Sequence, residues 1–322
     1  MQPRRPLLIA SFVAVCVVWG STYLGIRVAL EGFPPFMLAG LRFLLAGAVL
    51  YALARSRGEP APKRAQWGSA MVTGTLLFVV GNGLVNFAEQ SVSSGLASVL
   101  VSTTPLWATL FGRFLGAPVS GREAAGVLLG LAGVVVLELG GDLRASPMGA
   151  MYCLAAPMGW ALGSLASRRL PMPDGVMMRT ASQMLCGGLA TAGVSVILGE
   201  HLVAAPSARA IVAQLYLVTF GSLVGFSAYS YLLSHTRTVV ATSYAYVNPV
   251  IAVVLGVVVA HEHVGVESAV GGAIVLAAVV LVVLGQRAGQ SRASASRSRS
   301  IVEVGSGSDP NRSATPSSPT TT

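Results

Sequence analysis

Residues 7–26 read LLIASFVAVCVVWGSTYLGI, twenty consecutive positions without a charge. A hydrocarbon core about 30 Å thick is crossed by roughly 20 apolar residues at the helical rise of ~1.5 Å per residue. Inside lipid every backbone N–H and C=O must be satisfied within the structure, so a run this long and continuous is a helix. A barrel strand would instead show about ten residues of alternating polarity. Arg4 and Arg5 precede the run as they would a secretory signal. However, the run exceeds the apolar region of about 7–15 residues that such signals carry, and no A-x-A-like cleavage site follows it. We read it as a retained first helix.

The same criterion applied outward along the chain finds nine more runs, at 36–54, 67–87, 95–115, 124–141, 148–166, 180–199, 212–233, 239–260 and 266–285. The expected fold is therefore all-α and integral to the membrane, with ten transmembrane helices. Composition agrees: 53% of residues are hydrophobic and 10% charged, against about 25% charged in a soluble domain. A net charge of +9 can signal a nucleic-acid partner, but here the charges sit between apolar runs instead of clustering on one face. Cys16, Cys153 and Cys186 all fall inside apolar runs, with neither metal-ligand spacing nor a disulfide framework.

Orientation follows from lysine and arginine in the short connections. With the N-terminus cytoplasmic, seventeen basic residues fall on that side and only Arg144 and Arg209 on the other. One helix more or fewer would scramble this bias. Both termini are thus expected inside. The tail, 287–322, is rich in Ser, Arg, Thr and Pro; it has too few apolar residues to bury a core and reads as disordered.

The chain repeats itself, 7–141 against 148–286. At an offset of 141, Trp19 meets Trp160, Arg27 meets Arg168, Met37 meets Met178 and Gly47 meets Gly188. At an offset of 144, Pro105 meets Pro249 and Glu123 meets Glu267. Each half holds five helices, an odd number, so the second must sit upside down relative to the first. Inverted repeats of this kind are typical of secondary transporters, which bind substrate near the bilayer midplane between the halves.

Trp19-Gly20-Ser21-Thr22-Tyr23, Leu41-Arg42-Phe43 and Ala97 through Thr104-Pro105-Leu106 resemble the drug/metabolite transporter superfamily. Ala241-Thr242, Asn248-Pro249-Val250, Glu262 and Gly271-Gly272 resemble the same pattern a second time. The pattern is that of EamA-type transporters. Pro118 stands where the first copy would match Glu262, so the acidic residue is present in one half only. The resemblance covers roughly 7–286 and implies ten helices, inverted repeats and export of small metabolites or drugs across the bacterial inner membrane.

Charged groups inside a membrane are expensive and mark functional sites by default. Arg42 lies near the centre of the second helix, where it must face a wet cavity or backbone carbonyls; its planar fork suits a substrate carboxylate or phosphate. No carboxylate falls at a helix centre, which argues against a proton-coupled exporter of lipophilic cations. Glu89 is the first candidate for coupling, a solvated helix end being its plainer reading. The expected substrate-binding set is Arg42, Trp19, Tyr23, Asn82, Asn86, Trp160, Gln183, Tyr244 and Asn248. Asn82 and Asn86, with Gln90, share a helical face at i, i+4, i+8. Pro105 and Pro249 are expected to kink their helices and free carbonyls one turn earlier. His261-Glu262-His263 is a weak metal suggestion. No cofactor is expected: there is no phosphate-binding loop or dinucleotide fingerprint, and no paired acid and base of the kind an enzyme needs. The expected partners are a small-molecule substrate and the lipid bilayer; a homodimer is left open. A passive channel or facilitator is the alternative to a carrier.

Overall fold

A computed structural model describes residues 5–92, 97, 100–117, 119–138 and 146–251, with scattered positions between 266 and 284. The C-terminal tail, most of the tenth run and His261-Glu262-His263 lie outside the described residues. Among the described residues every regular element is helical, in chain order α1 (Arg5–Ala29), α2 (Pro35–Ser56), α3 (Arg64–Ala88), α4 (Thr104–Phe114), α5 (Gly121–Glu138), α6 (Pro147–Ala166), α7 (Val176–Ile197), α8 (Ala208–His235) and α9 (Thr238–Thr242), the last continuing after a break as 244–251. Five of these, α1, α2, α3, α7 and α8, are long and apolar enough to cross a membrane.

The most extensive helix–helix contact among the described residues is the seam between α2 and α7. Small residues let their backbones approach closely, the packing mode that replaces the hydrophobic effect in lipid. A Cβ on Gly47 would lie 2.9 Å from the Leu185 nitrogen, and one on Gly188 would lie 2.9 Å from the Leu44 nitrogen. Helix ends are tied in the same reciprocal way. Glu59, just beyond the end of α2, accepts the Met178 amide at the start of α7 (3.0 Å). Glu200, just beyond the end of α7, accepts the Phe36 and Met37 amides at the start of α2 (3.1 and 2.8 Å). Each carboxylate satisfies orphan donors at a helix N-terminus and sits at its positive dipole end. The two helices therefore run antiparallel.

Around this seam the flanking helices are exchanged: α1 packs on α8, and α6 packs on α3. Both α3 and α8 change winding midway, with i→i+5 turns at Thr75–Gly83 and Leu217–Val224. Such π-turns often occur at functional sites, and here both stretches border the central cavity described next. At α5, Ser120 and Glu123 form a reciprocal capping box, Ser120 N–H to Glu123 Oε2 (2.9 Å) and Glu123 N–H to Ser120 Oγ (3.2 Å).

Candidate functional site

Five aromatic rings meet where the exchanged helices cross. Trp19 of α1 lies 5.3 Å from Trp160 of α6, 5.2 Å from Tyr229 and 6.1 Å from Phe226 of α8, and 4.7 Å from Tyr244 beyond α9, centroid to centroid. The two tryptophans are 141 positions apart, and each rests on a glycine of the exchanged helix: a Cβ on Gly225 would lie 2.5 Å from Trp19 Nε1, and one on Gly81 would lie 2.9 Å from Trp160 Cε3. Trp19 Nε1 donates to the Gly221 carbonyl inside the π-turn at 2.9 Å.

Arg42 of α2 reaches the same place from the other side. Only 3% of its surface is exposed. Its Nε donates to Ser222 Oγ at 2.8 Å, but Nη1 is buried with no hydrogen-bond partner. No carboxylate lies within ion-pair distance of Arg42 among the described residues. A guanidinium has five donors in a fixed fork, and leaving one buried and unmet costs about 1–3 kcal/mol or more. An arriving oxyanion would remove that cost.

Arg42, Trp19, Tyr23, Asn82, Thr104, Trp160, Phe226, Tyr244 and Asn248 line one cavity of about 60 Å³. That is room for a few waters, well short of the roughly 300 Å³ at which small-molecule sites begin. Asn82 Oδ1 and Asn248 Oδ1 are, like Arg42 Nη1, buried without a partner. Trp160 Nε1 is buried without a partner as well, so the lining holds one unmet cationic donor, one unmet neutral donor and two unmet neutral acceptors.

Seven of the nine residues expected to bind substrate are thus brought together; Asn86 and Gln183 are not. Asn86 is fully buried and donates to the Pro35 carbonyl at 3.3 Å, fixing α3 against the start of α2. The expected i, i+4 alignment with Asn82 fails because Asn82 lies within the π-turns, which shift the angular phase of α3. Gln183 donates to Thr73 Oγ1 (3.0 Å) and Ser167 Oγ (2.7 Å) and borders a different cavity. Gln90 is exposed.

The prolines sit differently from each other. Pro105 occupies the first turn of α4, where its missing N–H costs nothing; the helical path breaks just before it, at Ser102–Thr103. Pro249 lies within the helical stretch 244–251, and the break there comes earlier, at Ser243. Hydroxyls take up carbonyls at both breaks: Thr103 to Leu100, Thr104 to Val101 and Ser243 to Val240, at 2.6, 2.6 and 2.8 Å.

Glu89 is no solvated helix end. It is 8% exposed, and neither carboxylate oxygen has a hydrogen-bond partner. Tyr23 and Arg27 of α1 and Cys153 of α6 lie within its electrostatic reach. No group of three His, Cys, Asp or Glu able to hold a metal occurs among the described residues. Phe226, Tyr229 and Ser222 were missed from the sequence. For Phe226 the signal was the 144-residue offset, which carries Gly81 and Asn82 onto Gly225 and Phe226; Tyr229 and Ser222 pair with Val85 and Phe78 and carried none.

The profile of the EamA-like transporter family matches the chain twice, over residues 7–139 and 147–284. The chain belongs to this family of membrane transporters. Among its EamA-like relatives is a protein of Escherichia coli (strain K12) described as an uncharacterized inner membrane transporter, YedA; it is 41% identical over 280 residues, covering 87% of this chain and 91% of its own. A probable amino-acid metabolite efflux pump of the same organism is 26% identical over 286 residues, covering 85% of this chain and 93% of its own. A crystal structure 23% identical in sequence superposes with a TM-score of 0.71 over 88% of this chain and 100% of the other; at that identity the likeness concerns the fold alone.

Proposed function

We propose that this EamA-like chain is a secondary exporter of the bacterial inner membrane, with both termini cytoplasmic. Ten helices in two inverted five-helix repeats carry small carboxylate-bearing metabolites, amino-acid derivatives among them, by alternating access. The observation that carries the reading is the set of unmet polar atoms on the lining of one buried cavity: Arg42 Nη1, Trp160 Nε1, Asn82 Oδ1 and Asn248 Oδ1. A carboxylate for the guanidinium and an N–H donor for the amide oxygens are the two ends of an amino-acid-like solute. The aromatic rings beside them offer its apolar part a face.

The reciprocal caps of Glu59 and Glu200 and the exchanged packing of α1 and α6 support the two-fold, inverted arrangement. The small cavity supports a carrier over an open channel, because a metabolite fits only when the walls move apart. Glu89, buried without a hydrogen-bond partner and within electrostatic reach of Tyr23 and Arg27, is a place where a proton can be taken up and released in step with that motion. The relatives described as an inner membrane transporter and an amino-acid metabolite efflux pump support the location and the substrate class.

The test is efflux of labelled amino acids and their derivatives from preloaded proteoliposomes. Flux of a carboxylate compound that Arg42→Ala abolishes, in a protein still monodisperse and inserted, supports the reading. Equal flux in both proteins would remove Arg42 from the substrate.

A further inference from the structure

A second cavity, of about 240 Å³, opens at the end of the bundle where α6 and α8 end and α7 begins. Its wall is polar. Arg168, Arg179, Gln183, Ser167, Ser230 and Ser234 all border it. Arg179 holds its side chain across the gap, Nε donating to the Pro173 carbonyl (3.1 Å) and Nη1 to Ser234 Oγ (3.0 Å). Arg168 donates from Nη1 to the carbonyls of Leu233 (2.9 Å) and Thr236. Neither guanidinium has a carboxylate within ion-pair distance among the described residues. Two arginines, the exposed Arg168 and the half-buried Arg179, three hydroxyls and a buried amide therefore line a space whose wall holds no carboxylate; Asp174 acts on Arg179 only from beyond ion-pair distance.

We propose that this cavity is a second binding site, specific for a single oxyanion group, carboxylate or phosphate, held between Arg168 and Arg179. The two forks supply charge-assisted donors and Ser230 adds a hydroxyl, while the Ser167 and Ser234 hydroxyls already donate to the Gly163 and Ser230 carbonyls. Partial desolvation pushes the Arg168 guanidinium down against the opposing influence of Tyr229, and the like charge of Arg237 adds to the lowering; a bound anion offsets it. α8 contributes to the walls of both cavities, Phe226 to the Arg42 cavity and Ser230 to this one. Ser230 on its wall follows Tyr229, whose hydroxyl meets Ser164 Oγ at 2.6 Å and whose ring lies against Trp160 and Phe226 of the first cavity. Resting on the proposed function, the site is the cytoplasmic antechamber in which an anionic substrate waits behind the aromatic wall.

The experiment is calorimetric titration of acetate, and separately inorganic phosphate, into detergent-purified protein. Arg42→Gln removes the central site, so the anion it still binds is the one at the second cavity. We expect that binding to persist in Arg42→Gln and to fall at least tenfold in Arg42→Gln/Arg179→Gln and in Arg42→Gln/Ser230→Ala, the latter leaving every arginine contact in place. Arg42→Gln/Arg179→Lys is expected to keep part of it, charge without the fork. Loss of all anion binding in Arg42→Gln alone, or undiminished binding in both double variants, would overturn the proposal. Repeating the Arg42→Gln titration in nanodiscs separates the sources: displacement of acetate by added phosphatidylglycerol assigns a lipid headgroup, and indifference to it assigns a soluble anion. Binding that persists while proteoliposomes show no flux would leave the site standing and remove the transport role.

Discussion

Glu59 and Glu200 stand 141 residues apart, and each caps the helix that belongs to the other's half. Glu59 receives the Met178 amide and Glu200 the Met37 amide; the two methionines are themselves 141 apart. A carboxylate at a helix N-terminus satisfies orphan donors and complements the dipole. Gly175 makes the arrangement feasible, since a Cβ there would fall on the Glu59 carboxylate.

Removing these caps should be costly and ordered. Caps are worth about 0.5–2 kcal/mol. Glu200 takes two amides where Glu59 takes one, so Glu200→Ala should lower the thermal midpoint in detergent more than Glu59→Ala. The double variant should show the sum, because distant sites usually add. Equal and non-additive losses would show that the carboxylates act otherwise.

The α2–α7 seam predicts a matched pair. Gly47→Ala and Gly188→Ala each place a methyl 2.9 Å from a backbone nitrogen of the opposite helix. Overpacking of this kind costs about 1–3 kcal/mol. Both variants should lose monodispersity on heating at closely similar temperatures. A large difference between them would break the equivalence of the two sides.

Gly225→Ala should disturb Trp19 specifically. Its Cβ would lie 2.5 Å from Nε1, so the bond from Trp19 to the Gly221 carbonyl cannot survive unchanged. The expected result is a shifted tryptophan emission and reduced flux with the protein still inserted. Emission and flux like those of the unaltered protein would contradict the packing.

Glu89→Gln separates coupling from binding. The amide keeps the shape but carries no exchangeable charge. Substrate exchange at equal pH on both sides should persist, while stimulation of flux by an imposed pH gradient should vanish. A retained response to the gradient would place proton coupling elsewhere.

Much of this was legible in the sequence. Long uncharged runs leave one backbone solution in lipid, and the paired tryptophans, prolines and glycines announce the repeat. Seven of the nine expected site residues line one cavity because intramembrane polarity is too costly to place without a polar neighbour. What could not be read was angular phase. The π-turns of α3 and α8 have no sequence signature, so Asn86 was set on the face of Asn82 but turned to the Pro35 carbonyl. Glu59 and Glu200 also stayed hidden, because a loop carboxylate declares a helix cap only once the helices have crossed.

The most direct test of the central claim is counterflow in proteoliposomes, with unlabelled carboxylate substrate loaded inside and a trace of labelled substrate outside. The account predicts transient uphill accumulation of label by the unaltered protein. It also predicts a loss of at least ~10-fold in Arg42→Gln, as expected when a charged hydrogen bond worth about 1.5–3 kcal/mol is removed. Label that merely equilibrates, at a rate indifferent to internal substrate and to Arg42, would contradict it and mark the protein as a passive pore.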